Sequence, residues 1–150
     1  MNKWLLGLVL AVAPIVAHAQ TTPDCAAAKT QTEMNACAGT SFQTADKELN
    51  RTYQAVLKRY AEDASFIAKL RASQRAWLRV REAELDAIFP HSADANYYGT
   101  IYPQCRAGKL TKMVTERTRE LREWLDGVEE GEICAGSIKT KAALSEAGKL

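Results

Sequence analysis

Histidine is nearly absent from this sequence: two residues in 150, and His18 falls in an N-terminal segment that reads as removable. With His91 left alone and no cysteine pair at C-x-x-C spacing, a zinc site lacks ligands and a thioredoxin-like redox pair is excluded. A Ser-His-Asp triad would have to use His91, Ser92 and Asp94. Their near-adjacent positions do not give triad geometry, and no nucleophile-elbow sequence accompanies them. No glycine-rich run is present to cradle phosphate; Gly127 and Gly131 stand where a helix ends. Glu82 and Asp86 lie four apart on a charged helical face, the setting of solvated carboxylates rather than of an acid–base pair. An excess of charge is missing too: 20 Lys and Arg oppose 18 Asp and Glu, which argues against generic binding to nucleic acid or an anionic membrane. These absences predict a protein that is not an enzyme, with no catalytic residues, no metal ligands, no cofactor and no nucleic-acid partner.

What is present begins with the leader. Met1-Asn2-Lys3, an apolar run from Trp4 to Ala17, and Ala17-His18-Ala19 supply the basic start, apolar core and small-x-small cleavage site of a signal peptide. As a helix the run would span about 21 Å, short of the roughly 30 Å of a bilayer core, and Pro14 interrupts it. The expected organisation is a signal peptide over 1–19, a helical domain over 20–134 and a tail over 135–150. The tail is expected to be a weak fourth helix or mobile. No second long apolar run follows, so no membrane anchor is expected after cleavage, and the location is periplasmic or secreted. Four cysteines remain: Cys25, Cys37, Cys105 and Cys134. An even number in an oxidising compartment predicts two disulfides.

The periodicity is helical outside residues 90–104, with no strand-like alternation and no internal repeat. Thr30-Gln31-Thr32-Glu33 has the form of a capping box. The stripe that follows, Met34, Ala38, Phe42, Ala45, Leu49, Tyr53, Val56 and Tyr60, keeps to one face and predicts a helix over about 31–62. Phe66, Leu70, Trp77, Leu85 and Ile88 predict a second helix over about 64–89, ended by Pro90. Leu110, Val114, Arg117, Leu121, Trp124 and Leu125 predict a third over about 107–127. Residues 90–104 lose the period and read as a long loop, in which His91, Tyr97, Tyr98 and Tyr102 are candidates for binding a partner. The fold class is all-α: an antiparallel three-helix bundle with one long loop, braced by two disulfides.

Short links make helices 1 and 2 antiparallel, so facing residues should have numbers that sum to about 127. That register faces Asp46 with Arg81, Asn50 with Trp77 and Tyr53 with Gln74, three chemically complementary pairs. Unpaired, a buried polar group costs about 1–3 kcal/mol; paired, these groups would fix the register of two helices. An aspartate beside an arginine is a fixed anion rather than a proton donor, so this seam is read as structural. Arg71, Arg75 and Arg79 fall on the outer face of helix 2, where the plain reading is a solvated surface.

These residues also carry a resemblance. T-Q-x-E-M-N-x-C-A at 30–38, A-D-x-x-L-N-x-x-Y at 45–53, L-R-x-x-Q-R-A-W-L-x-x-R at 70–81, Y-x-x-C at 102–105 and E-R-T-x-E-L at 116–121 follow in order. Together they resemble the LprI-like lysozyme-inhibitor family of secreted bacterial proteins, over about residues 25–125. The resemblance implies an exported all-helical domain. Its motif contains no known lysozyme-contacting residue, so none is transferred. Many relatives carry a cysteine where this chain has Leu85, and here Cys134 is the additional one. Two disulfide arrangements follow: Cys37–Cys105 with Cys25–Cys134, favoured by the shared end of a bundle, or Cys25–Cys37 with Cys105–Cys134. Cysteine order does not decide between them.

Two functions from different classes fit these features. One is an inhibitor of a lysozyme-type muramidase that places loop 90–104 in the enzyme's cleft. The other is a periplasmic interaction or envelope-stress module with another envelope protein as partner. Neither specifies an oligomeric state.

Overall fold

The structure, a computed structural model, describes residues 24–94 and 96–147. The expected signal peptide and its cleavage site lie outside the described residues. Helix α1 runs Gln31–Arg59 and opens on a complete capping box. The Thr30 hydroxyl accepts from the Glu33 amide at 3.2 Å, while the Glu33 carboxylate accepts from the amides of Thr30 and Lys29 at 2.9 and 2.8 Å. The Thr30 amide, then that of Lys29, holds the Glu33 carboxyl below its ordinary 4.5. After α1 the chain turns, and Asp63 caps α2 (Ala64–Ile88) by accepting from the Phe66 amide at 2.9 Å. Phe89 and Pro90 end it.

Helix α3 runs Tyr102–Asp126 and follows a single 3-10 turn at Gly99–Ile101. It starts five residues before the expected 107, so the irregular segment is shorter than 90–104 and Tyr102 belongs to the helix. The reason is Pro103, which lies in the first turn, where a missing N–H costs nothing and a fixed φ suits the helix. Among the described residues there is no named strand, only an isolated bridge between Val128 and Thr140. No described helix is long and apolar enough to cross a membrane.

The three long helices pack side by side. α1 and α3 run parallel and close, with Gln31 beside Gln104, Glu48 beside Arg122 and Tyr60 beside Trp124. α2 runs antiparallel to both and stands further off, bridging the gap with long side chains. Phe66 meets Trp124 at 5.8 Å, Gln74 meets Arg117 at 3.1 Å and Glu82 meets Arg106 at 3.9 Å. Leu49, Val56, Tyr60, Leu70, Val114 and Leu121 form the buried core. Ile88, assigned to the inner stripe of helix 2, is instead 44% exposed: it sits in the last turn, where α2 has passed the end of the core.

One disulfide is present rather than the two expected. Cys25 and Cys37 are bonded, with Cα atoms 5.6 Å apart, within the usual range. Cys105 and Cys134 are free and exposed. Cys105 stands near the start of α3 and Cys134 beyond its end, and a 25-residue helix spans about 37 Å. That separation excludes a bond between them in this fold. Cys37 is already held by Cys25, which removes the other arrangement.

The segment after α3 folds back over one end of the helices. Gly127 takes φ +73°, and a Cβ there would lie 2.7 Å from Leu144 Cδ1 and 2.8 Å from the Lys139 carbonyl oxygen. Tyr60 is the anchor: its hydroxyl donates to the Trp124 carbonyl and accepts from the Lys139 amide, each at 3.1 Å. Trp124 Nε1 donates to Ser137 Oγ at 3.1 Å, Leu144 is buried, and a short α4 (Lys141–Ala147) follows.

Candidate functional site at the loop end

The opposite end gathers the start of α1, the end of α2, the start of α3 and the segment joining α2 to α3. Phe89 is the hub. Its ring meets Tyr98 edge-on at 5.5 Å and Tyr102 edge-on at 5.3 Å, while Tyr98 and Tyr102 stack at 5.3 Å. Two of the three tyrosines therefore pack inward and shape the loop. Tyr97 extends the cluster outward: it touches Tyr98 at 4.8 Å and His91 at 4.2 Å, and remains 57% exposed.

Backbone bonds hold this segment in a chain of turns. Ser92 donates to the Phe89 carbonyl at 3.1 Å, Asp94 to His91 at 3.0 Å, Tyr97 to Asp94 at 3.2 Å and Gly99 to Asn96 at 3.2 Å. The His91 amide donates to the Tyr98 hydroxyl at 3.2 Å, and Asp94 Oδ1 accepts from the Asn96 amide at 3.0 Å. Gly99 has φ +67°, which accommodates the reversal before α3. Helix α1 ties the loop down: Asn35 Nδ2 donates to the Thr100 carbonyl at 2.9 Å, and Gln31 Nε2 to Gln104 Oε1 at 2.8 Å. A cleft of about 590 Å³ opens beside these ties, lined by Gln31, Asn35, Ser92, Asn96, Thr100 and Tyr102 among others. The sequence reading missed Gln31 and Asn35 as residues of this site, although their i, i+4 spacing puts both on one face of α1.

The polar seam is distributed differently from the expected pairs. Asp46 and Arg81 approach to 3.9 Å, but the closer partner of Arg81 is Glu82 at 2.6 Å, and the Arg81 guanidinium also sits 5.5 Å from the centroid of the Trp77 ring. Asn50 is exposed and donates to the Asp46 carbonyl and carboxylate at 2.9 and 3.1 Å, not toward Trp77. Tyr53 packs half-buried against the core, and Gln74 turns to α3. There the buried Arg117 uses its whole fork: Nε donates to Gln74 Oε1 at 3.1 Å, Nη2 to Ser73 Oγ at 3.1 Å and Nη1 to Glu120 at 2.9 Å. This node supports the helices and lies away from the loop.

Charge along α2 and the loop is sorted by position. From Ala64 to Arg81 there are five Lys and Arg and no carboxylate; from Glu82 to Ile101 there are four carboxylates and no Lys or Arg. At the loop end the start of α3 answers part of this acidity, with Arg106 at 3.9 Å from Glu82. Among the described residues no group of three or more His, Cys, Asp or Glu is placed to hold a metal ion.

Fold and site together define a small, disulfide-bonded, all-helical protein that presents a braced aromatic loop. The chain belongs to the lysozyme inhibitor LprI family, whose pattern matches residues 23–121. An uncharacterised protein of Rhizobium meliloti (strain 1021) is 31% identical over 133 residues, covering 81% of this chain and 92% of its own length. No solved structure matches.

Proposed function

We propose that this is an exported protein that inhibits a lysozyme-type muramidase by direct contact, with the segment between Phe89 and Tyr102 entering the enzyme's cleft. The observation that carries this reading is Tyr97, an exposed aromatic held on a loop whose other two tyrosines pack against Phe89 beneath it. A competitive blocker gains from such an element, because ordering a loop on binding subtracts from affinity and a loop already ordered avoids that loss. Tyrosine offers wide contact at low entropic cost. Glu84, Asp86 and Asp94, which hold no cation among the described residues, suit a cationic target. Family membership supports the inhibitor class, and the Cys25–Cys37 bridge fits a periplasmic or secreted location.

The test is lysis of cell-wall substrate by several lysozyme types with the purified exported protein present. Tyr97→Ala should weaken inhibition by roughly 30-fold, the equivalent of about 2 kcal/mol at a contact centre. Far-UV circular dichroism should be unchanged, because the Tyr97 ring packs only at the outer edge of the cluster and is 57% exposed. Tyr98→Ala is the wrong probe, since it removes the packing that shapes the loop. Undiminished lysis at large excess of protein against every lysozyme type would refute the reading and favour another envelope partner.

A further inference from the structure

The outward face of α2 carries a second feature that does not depend on the inhibitor reading. Arg71, Arg75 and Arg79 recur every four residues, so they line one side of the helix about 6 Å apart. All three are exposed. Among the described residues none of these side chains has a hydrogen bond or ion pair, whereas Arg51, Arg81, Arg106, Arg117 and Arg122 each hold a carboxylate. Like charges at i, i+4 repel, and here the spacing is used twice in succession with no carboxylate between. The carboxylates that would relieve it are grouped further along, at Glu82, Glu84 and Asp86. A surface arranged in this way is stabilised by anions supplied from outside.

We infer that this face docks on an anionic phospholipid bilayer. The surface is one convex helix side, which fits a plane better than a strand. Exposed Ala68 and Ala72 keep it low, so the guanidinium groups can reach a layer of phosphates, which arginine binds bidentately. Leu78 lies one turn from Arg75 at i, i+3 and is 39% exposed, which adds an aliphatic group at the edge of the row. No aromatic side chain lies among these outward residues to stack on sugars or bases: Trp77 is half-buried under Arg81. The near-zero net charge argues against generic attraction to such a surface but not against a local row, because the charges are separated along α2 and screening limits each group's reach to about 10 Å.

The experiment is co-sedimentation of the exported protein with phosphatidylcholine vesicles, with and without phosphatidylglycerol, at low and high salt. Binding is expected only with phosphatidylglycerol and should fall away at high salt. A cation near an anionic leaflet contributes about fivefold in affinity, so R71Q/R75Q/R79Q should lose about a hundredfold. K109Q/K112Q/R119Q on α3 removes the same charge elsewhere and should retain binding. Circular dichroism should show both variants folded; should the triple variant unfold, R75Q alone should still lose about fivefold. Equal binding to both vesicle types, equal loss in the α3 variant, or no binding to either would overturn the inference. Retention on an anionic polysaccharide matrix without vesicle binding would overturn it in favour of a glycan.

Discussion

Arg117 and Gln74 are each 9% exposed and meet at the centre of the helix packing, which makes their pairing a sharp test of how α2 is held. Replacing Arg117 with Met keeps the aliphatic stem but removes every donor. Gln74 is then buried without a partner, at about 1–3 kcal/mol, while Ser73 and Glu120 turn to solvent. Replacing Gln74 with Leu strips one bond from a buried cation that keeps two others, at about 1.5–3 kcal/mol for a bond to a charged group. The double variant leaves nothing orphaned. Exchanging a buried ionic group for apolar side chains of similar volume is often neutral or stabilising, so it should unfold within about 1 kcal/mol of wild type. The two substitutions should therefore couple by roughly 3 kcal/mol in urea unfolding followed by circular dichroism. Strict additivity, with coupling under about 0.5 kcal/mol, would show that the two side chains do not depend on each other and that α2 is held by apolar contacts alone.

Three further outcomes are expected. Asp46→Ala should cost no more than about 1 kcal/mol, because Arg81 keeps Glu82 and the Trp77 ring; a loss of about 3 kcal/mol or more would show that Arg81 relies on Asp46. Cys25→Ser should destabilise by about 3 kcal/mol, since the bridge closes a loop over a sequence separation of 12, and reduction of the wild type should reproduce the loss. The Glu33 carboxyl is held below 4.5 in the folded chain, so its contribution is present above that value and is lost as pH falls through the depressed folded value. Glu33→Gln should accordingly flatten the acid end of the melting-temperature profile; an unchanged profile there would remove the capping box from the acid response.

The helices were legible because their signals are local. Thr30 and Glu33, the three- and four-residue spacing of the core positions, and Pro90 act within a turn or two of chain. Pro103 misled for the same reason, since a proline reads as a break or as a start according to what precedes it. The seam was half legible. A register sum near 127 brings Asp46 toward Arg81 and Tyr60 to Phe66 at 4.7 Å. Gln74 needed a second sum, near 191, that pairs it with Arg117 across α3. An arginine on an otherwise apolar stripe was the available sign that a partner was buried there. The disulfide was not legible, because four cysteines in sequence carry no distances. The division of the loop tyrosines was hidden too, because Phe89, the residue that claims Tyr98 and Tyr102, was read as the end of a helix.

The two ends of the molecule are built for different tasks. At the Tyr60 end the chain covers itself: one phenol satisfies both a helix terminus and the returning tail, and Gly127 lets Leu144 close over it. That end relies on residues beyond 121, outside the segment that carries the family pattern. At the other end everything lies within the pattern, from Cys25 to Gln104, and ordering is supplied by a covalent bond, two side-chain ties from α1 and three packed rings. Those constraints act on a loop that leaves the Tyr97 ring outside, with His91 against it. Core stability does not require a ring exposed there, and packing Tyr97 away would bury more apolar area. An ordered loop with its last aromatic left in solvent is the arrangement in which a partner gains that contact while the entropy of ordering has already been lost in folding.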